Sequence, residues 1–202
     1  MTTIAEMPAG FADKVLSAQS TFRSVMDAMA RPGSVQRIEA GSGVPAPMMR
    51  GSAAIALTLF DQDTPVWLDA SMSAASSVAK WIKFHTSAPV ISRSSVCSFA
   101  LIADAGTLPG FEQFSFGTAE YPDRSTTLIM QVASLTAGPA YELRGPGIDG
   151  TAVLRATIDM PDFLDRLALN ATLFPRGIDL VLVADDMVVA IPRTTRLTAK
   201  EG

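Results

Sequence analysis

The chain has 202 residues and a formal net charge of -4, so it carries no broad basic field of the kind that binds nucleic acid or anionic lipid. Charged residues make up only 18% of it and apolar residues 48%, with no apolar run long enough to span a bilayer. We therefore expect a single domain over residues 1–202 with part of its surface buried by other chains. A compact domain with a large core would give the same composition. No secretory signal is visible at the N-terminus, which predicts a cytoplasmic protein without membrane contact.

An amphipathic helix is predicted over residues 11–30. Its apolar residues recur at helical spacing: Val15, Ala18, Phe22, Val25, Met26 and Met29. We expect this stripe to face the core. Arg31-Pro32-Gly33 ends the helix, since proline disfavours a helical conformation before it and glycine suits a turn.

The middle of the chain alternates short helices with buried strands. The helices are expected at 53–60 and 76–85, and the strands at 66–68, 90–91, 96–103 and 126–135. Tyr141-Glu142-Leu143 then runs into a turn at Arg144-Gly145-Pro146-Gly147.

The C-terminal part is predicted as a helix at 160–174 followed by a β-hairpin. Residues 178–184 and 187–191 are apolar runs joined by Asp185-Asp186, and the chain is expected to leave the sheet at 193–196. A strand that is apolar at every position lies in a sheet covered on both faces, and we expect helices to form both covers. The predicted fold class is therefore α/β, a three-layer α/β/α sandwich whose sheet is mixed because the hairpin is antiparallel.

Chemistry-bearing residues are few. One histidine and one cysteine exclude a His-rich or thiolate metal site, although a carboxylate-only magnesium site stays open. Cys97 is expected to be a buried, inert thiol. His85 is a candidate general acid or base, or a structural hydrogen-bonding residue at a helix end. Arginines beside turns are candidates for phosphate capture or for salt bridges: Arg31, Arg144, Arg176, Arg193 and Arg196.

Several segments resemble one family in colinear order. They include Arg31-Pro32-Gly33, Phe84-His85-Thr86, Gly177-Ile178-Asp179-Leu180 and Pro192-Arg193-Thr194-Thr195. These segments resemble the PhnH family of the bacterial carbon-phosphorus lyase system. The resemblance implies a fold similar to the large domain of pyridoxal-phosphate-dependent transferases, but without that cofactor. None of the four lysines, Lys14, Lys80, Lys83 and Lys200, lies in an evidently suitable loop for a Schiff base.

The same resemblance implies a function. It is that of a homodimeric, non-catalytic structural subunit that docks with PhnG, PhnI and PhnJ, uses no cofactor or metal, and supports the joining of phosphonate to ribose triphosphate from ATP. An alternative is a subunit that itself binds nucleotide or phosphonate and contributes to catalysis. The candidate ligand or interface residues are Arg31, His85, Arg144, Asp179 and Arg193. A third hypothesis, a pyridoxal-phosphate enzyme, predicts a coloured lysine-aldimine.

Overall fold

The described part of the chain, residues 10–39, 41 and 43–200 of a computed structural model, contains five α-helices and ten β-strands, with short 3-10 helices in some of the connections. The helices are α1 (Lys14–Ala30), α2 (Arg50–Leu59), α3 (Ala70–Ala74), α4 (Ser76–Thr86) and α5 (Phe163–Thr172). The strands are β1 (Gln36–Arg37), β2 (Val66–Leu68), β3 (Val90–Ile91), β4 (Phe99–Ile102), β5 (Thr127–Gln131), β6 (Ala140–Arg144), β7 (Ala152–Arg155), β8 (Asp179–Ala184), β9 (Met187–Ile191) and β10 (Arg196–Ala199). Among the helices in these ranges, none combines the length and the apolar character that crossing a bilayer requires.

Seven strands form one mixed sheet in the order β1-β9-β8-β5-β4-β2-β3. The pairs that link β3, β2, β4, β5 and β8 are parallel, whereas β9 runs antiparallel to both β8 and β1. The predicted C-terminal hairpin is confirmed, with Leu182 opposite Val189 and the turn at Asp185-Asp186. The mixed sheet of the predicted α/β fold is therefore present.

The two faces of this sheet are covered in different ways. Helices α1 to α4 cover one face, and their apolar residues pack against Leu101, Ile129 and Val181 of the central strands. The other face meets α5 and a second, three-stranded antiparallel sheet with the order β10-β6-β7. The prediction that helices alone cover both faces is thus wrong for the second face. Strands can serve there because Leu143 and Leu154 are buried in the core while their neighbours along each strand are exposed or half-buried.

Helix α1 corrects the prediction about its apolar stripe. Asp13 caps the helix, since its Oδ1 accepts hydrogen bonds from the backbone N–H groups of Val15 and Leu16. The residues that α1 buries are Thr21, Val25 and Ala28. Three of the six stripe residues instead face outward: Val15 is 64% exposed, Phe22 48% and Met26 50%, whereas Val25 is buried. Leu16, which is not part of the predicted stripe, is also exposed, at 65%. Helical spacing located the apolar residues correctly, but it did not reveal which side of the helix the rest of the chain covers.

Other predicted elements are present with shifted bounds. The strand expected at 96–103 begins at Phe99, because Ser94–Val96 form a short 3-10 helix. The strand expected at 126–135 is the shorter β5, and the helix expected at 160–174 is α5. After residue 193 the chain does leave the main sheet, but it then adds β10 to the small sheet beside β6.

The carboxyl ends of β2 and β4 meet at the point where the order of the strands reverses. From β2 the chain proceeds outward to β3, whereas from β4 it proceeds the other way to β5 and β8. In open α/β sheets, ligands usually bind in the crevice at such a point. Here the carboxylate of Asp69, 2% exposed, accepts hydrogen bonds from the N–H groups of Met72 at 2.8 Å, Ala103 at 2.8 Å and Asp104 at 2.9 Å. The chain thus places its own carboxylate in the position where this type of sheet commonly receives a ligand.

Replacing Asp69 with Asn tests that contact. An amide has only one acceptor oxygen, so at least one of the three backbone N–H groups loses its partner in Asp69→Asn. We expect the free energy of unfolding to fall by about 1–3 kcal/mol, measured by urea denaturation. The matched control is Asp63→Asn at an exposed position, for which a change within about 0.5 kcal/mol is expected. Equal stabilities of the two variants would contradict the assigned role of Asp69.

Candidate functional site

The side chain of Arg193 lies at the centre of a buried polar network. Its guanidinium is ion-paired with Asp179, and the two side chains are 13% and 14% exposed. Nε donates to Asp179 Oδ1 at 3.1 Å, and Nη1 donates to the carbonyl oxygens of Pro122 at 2.9 Å and Pro175 at 3.2 Å. Nη2 donates to the Ser125 hydroxyl at 2.6 Å and to Asp179 Oδ2. All five N–H donors of this guanidinium therefore have protein acceptors.

This network joins segments that are distant in sequence. Asp179 begins β8, and its Oδ1 also accepts from the backbone N–H of Arg193, directly after β9 and Pro192. Pro175 belongs to the turn after α5, whereas Pro122 and Ser125 precede β5. The network consequently fixes the amino ends of β5 and β8 relative to the end of β9. We call this network of Arg193, Asp179, Ser125 and the Pro122 and Pro175 carbonyl groups the clamp. Any ligand that bound Arg193 would have to replace one of these acceptors.

A cleft of about 470 Å³ opens beside this clamp, at the amino ends of β4 and β5. Its size lies in the range of small-molecule sites. Five hydroxyl side chains line it, together with one cation and one carboxylate: Ser95, Ser98, Ser115, Ser125, Thr127, Arg124 and Asp123. Ser125 is the residue that connects the cleft to the clamp.

Cys97 also borders the cleft, but the residue is only 2% exposed. Burial raises the pKa of this thiol, and the neighbouring Thr126 hydroxyl, 3.7 Å from Sγ, offsets part of that increase. The predicted burial of Cys97 is confirmed. A raised pKa keeps the thiol protonated at neutral pH, which opposes nucleophilic or metal-binding chemistry.

At the carboxyl ends of the parallel strands, polar side chains bind other segments of the same chain. Gln131 at the end of β5 accepts from Met49 N–H at 2.6 Å and donates to the Pro47 carbonyl at 3.0 Å. Arg50 pairs with Asp185 in the hairpin turn. The hydrogen bond from Arg50 holds the pKa of Asp185 below its ordinary value. These contacts attach the start of α2 to the carboxyl ends of β5 and β8.

Three of the turn segments noted in the sequence meet at the turn that follows β6. They are residues 31–33, 144–147 and 192–195. A methyl group on Gly147 would lie 2.1 Å from the carbonyl oxygen of Ala30, at the end of α1. A methyl group on Gly145 would lie 2.9 Å from the carbonyl oxygen of Thr194. Such close approaches require glycine. The motifs at 31–33, 144–147 and 192–195 are therefore assembled by packing between segments that are far apart in sequence.

The five candidate residues do not form one constellation. Asp179 and Arg193 are in contact, as described above. Arg31 is exposed and forms a salt bridge with Asp27, with Nη1 3.6 Å from Oδ1. Arg144 is also exposed and forms a salt bridge with Glu142, with Nη2 2.9 Å from Oε1. The ring of His85 lies 4.7 Å from that of Trp81 and 4.9 Å from that of Phe84, between centroids. The contacts described for all five candidate residues are with other protein groups. A ligand role for any of them stays a prediction.

Two important residues were not singled out from the sequence. Asp69 follows the buried strand Val66-Trp67-Leu68 directly, and a carboxylate in that position is a detectable signal. Ser125 has no such signal, because its importance comes from Arg193, 68 positions away. Across the residues that the structure describes, no group of three or more His, Cys, Asp or Glu side chains is arranged to hold a metal ion.

The clamp yields a stability prediction. Arg193→Ala leaves the Asp179 carboxylate buried without its cation, so we expect the free energy of unfolding to fall by about 3–5 kcal/mol. The double variant Arg193→Ala/Asp179→Ala is expected to lose less than the sum of the single losses, because the two residues act together. Chemical denaturation measures both effects. Arg176→Ala, at an exposed position, is the matched control, and a loss at Arg193 no larger than at Arg176 would contradict the clamp.

The thiol yields a second prediction. At neutral pH, Cys97 in the folded chain is expected to react with a disulfide reagent at least roughly a hundredfold more slowly than in denaturant, because reaction requires opening of the fold. Because the pKa is raised, the thiolate fraction of the folded chain is expected to lag behind that of a free cysteine as pH increases. Stopped-flow absorbance measures the rates. Equal rates for folded and unfolded chains at neutral pH would show that the thiol is accessible.

Comparison with known proteins agrees with the resemblance of the motifs. The model of the family described as bacterial phosphonate metabolism protein (PhnH) matches residues 9–198. A relative from Rhizobium meliloti (strain 1021), alpha-D-ribose 1-methylphosphonate 5-triphosphate synthase subunit PhnH, is 49% identical over 199 residues, which cover 98% of each chain. A candidate C-P lyase subunit protein of Stutzerimonas stutzeri, HtxG, is 39% identical over 85 residues, covering 42% of this chain and 43% of its own.

The matched region of the family model contains every described helix and all but the last residue of the described strands. It thus includes the clamp, the cleft and the motifs that meet at Gly145 and Gly147. The chain belongs to the PhnH family of bacterial phosphonate metabolism proteins.

Proposed function

We propose that this chain is a non-catalytic structural subunit of the carbon-phosphorus lyase core complex and acts with PhnG, PhnI and PhnJ in the cytoplasm. In this role it supports synthesis of alpha-D-ribose 1-methylphosphonate 5-triphosphate from phosphonate and ATP, and it has no activity alone. The full-length relative is named as a subunit of the synthase for that compound, and the partial relative as a candidate C-P lyase subunit. Both names support membership of a multi-subunit assembly.

The observation that carries the proposal is the exposed apolar surface of α1. We call Val15, Leu16, Phe22 and Met26 the α1 ridge; each is at least 48% exposed. Successive helical residues advance by roughly 100°, so Val15, Phe22 and Met26 share one face. Helix α1 packs on the rest of the chain through Thr21, Val25 and Ala28 instead. The ridge is thus apolar surface that folding of this chain leaves in water.

Another subunit of the assembly is the proposed partner of the ridge. Fully burying an apolar side chain of this size contributes roughly 1.5–3 kcal/mol, so the three residues on one face, with Leu16 beside them, form a useful docking surface. Phe and Met are also residue types that interfaces favour. Because only 18% of residues are charged, few charged groups would have to lose their water when the surface is covered by a partner. We also propose that this chain is a homodimer within the complex. The number of its copies in the assembly tests this directly.

A structural role is supported further by the way the chain uses its buried charges. Asp69 binds three backbone N–H groups, and Arg193 binds five acceptor positions of its own chain. Catalytic acids and bases need access to substrate protons. These side chains instead hold strand ends together, which suits a rigid subunit that presents surfaces to partners.

The test is co-expression of this chain with PhnG, PhnI and PhnJ, followed by purification through a tag on PhnI and native mass spectrometry. The wild-type chain is expected in the complex in two copies. Phe22→Ser/Met26→Ser is expected to reduce its recovery at least roughly tenfold, since the docking surface loses two apolar anchors. Both side chains are exposed, so the variant is expected to fold as the wild type does, which circular dichroism checks.

Leu169→Ser is the matched control, because Leu169 is 69% exposed but lies on α5, away from the ridge. It is expected to leave recovery unchanged. Absence of the wild-type chain from the complex would contradict the subunit proposal. Full recovery of Phe22→Ser/Met26→Ser would contradict the ridge as the docking surface.

A further inference from the structure

The cleft beside the clamp contains more hydrogen-bond donors than the fold uses. It lies at the amino ends of β4 and β5 and has a volume of about 470 Å³. The Ser98 and Thr127 hydroxyls line it, each on a half-buried residue, and within the described ranges neither makes a side-chain hydrogen bond to protein. Each hydroxyl can donate one proton. These groups are therefore available to a ligand.

Ser125 is the most strongly positioned of the lining groups. It is only 8% exposed, and its Oγ accepts a hydrogen bond from Arg193 Nη2 at 2.6 Å. Its own proton has no protein acceptor among the described residues. A hydroxyl that accepts from a cation becomes a stronger donor, because hydrogen bonds in a chain polarise one another. The clamp thus orients Ser125 and strengthens it as a donor toward an anionic oxygen.

Arg124 adds a positive charge to the same cleft. Its guanidinium carbon lies 4.2 Å from the centroid of the Tyr121 ring. In the part of the chain that the structure describes, the guanidinium makes no hydrogen bond or ion pair with protein. Stacking on an aromatic ring positions an arginine while it leaves the N–H groups free. Up to five donors are consequently available at the rim of the cleft.

We propose that this cleft binds a tetrahedral oxyanion, a phosphate or phosphonate group of a small molecule. Arg124 supplies the charge, and the hydroxyls of Ser125, Ser98 and Thr127 supply oriented donors to the oxygens of the group. Arginine matches such oxygens with paired N–H groups. Such a site would allow this subunit itself to bind phosphonate, the alternative function considered from the sequence. It does not require the partner subunits, and binding without catalysis is compatible with the structural role.

Asp123 distinguishes this ligand from a neutral, hydroxylated one. Its carboxylate also lines the cleft, and it repels an anion but accepts hydrogen bonds from a sugar hydroxyl. The two ligand classes therefore give opposite predictions for Asp123→Asn. An oxyanion binds more tightly to this variant than to the wild type, whereas a pentose binds more weakly.

The experiment is isothermal titration of the isolated full chain with methylphosphonate, inorganic phosphate and ribose, in a buffer without phosphate. Both anions are expected to bind and ribose is not. Arg124→Ala and Ser125→Ala are each expected to weaken binding roughly tenfold or more, because each removes a charge-assisted contact. Asp123→Asn is expected to tighten it several-fold. Arg37→Ala removes an exposed arginine on β1, at the far edge of the sheet, and is expected to change nothing.

Arg124 is exposed, so its variant keeps the test informative even if Ser125→Ala disturbs the clamp. Failure of both anions to bind at millimolar concentration would overturn the proposal, as would binding of ribose alone. Anion binding that Arg124→Ala and Ser125→Ala leave unchanged would place the site elsewhere and overturn it too. None of these outcomes bears on recovery of the chain with PhnG, PhnI and PhnJ, so the two proposals fail separately.

Discussion

The ion pair between Arg193 and Asp179 is the contact on which the arrangement of the strand ends depends. It joins the start of β8 to the residue that leaves β9, and through Pro122, Pro175 and Ser125 it holds two further segments. A buried ion pair costs desolvation energy, which is offset only when every donor and acceptor is satisfied. The guanidinium meets that condition. Its removal would therefore loosen the amino ends of the central strands together, rather than one loop alone.

The two ends of the parallel strands consequently have different properties. At the carboxyl ends, Asp69, Gln131 and Asp185 all bind groups of their own chain. In the crevice where an open α/β sheet usually binds a ligand, the carboxylate of Asp69 is thus already engaged by backbone N–H groups of its own chain. At the amino ends, the clamp borders a cleft where, among the described residues, the hydroxyls of Ser98, Ser125 and Thr127 and the guanidinium of Arg124 donate no hydrogen bond beyond those of the clamp. In the two proposals above, the sheet is a rigid support, and recognition takes place at the cleft beside the amino ends of β4 and β5 and on the outer surface of α1.

Much of the fold could be predicted from the sequence, since apolar runs and turn residues are local signals. The hairpin around Asp185-Asp186, the strand at 66–68 and the helix that begins at Ser76 were all predicted this way. The small sheet was missed in part because β7 and β10 have four residues each and each buries a single leucine, so the apolar signal of each strand is weak. The prediction for α1 was wrong for Val15, Phe22 and Met26, because periodicity shows where an apolar face is and not what covers it. The proposed likeness to pyridoxal-phosphate-dependent transferases stays a prediction.

The candidate site was harder to predict than the fold. Asp179 and Arg193 were identified through motifs, but their contact joins positions that 13 residues separate, and Ser125 enters only through three-dimensional packing. Arg31, His85 and Arg144 were grouped with them because each lies beside a turn or a helix end. Proximity to a turn does not determine which way a side chain points. The structure gives those three residues other protein partners.

Hydrogen–deuterium exchange of this chain, alone and assembled with PhnG, PhnI and PhnJ, most directly tests the division between an internal clamp and an external docking surface. We predict that peptides covering residues 174–196 exchange slowly in both states, because the clamp is complete within the chain. Peptides covering residues 14–30 should gain protection on assembly, as the α1 ridge becomes covered. Fast exchange at 174–196 that slows only in the complex, with no change at 14–30, would contradict the account.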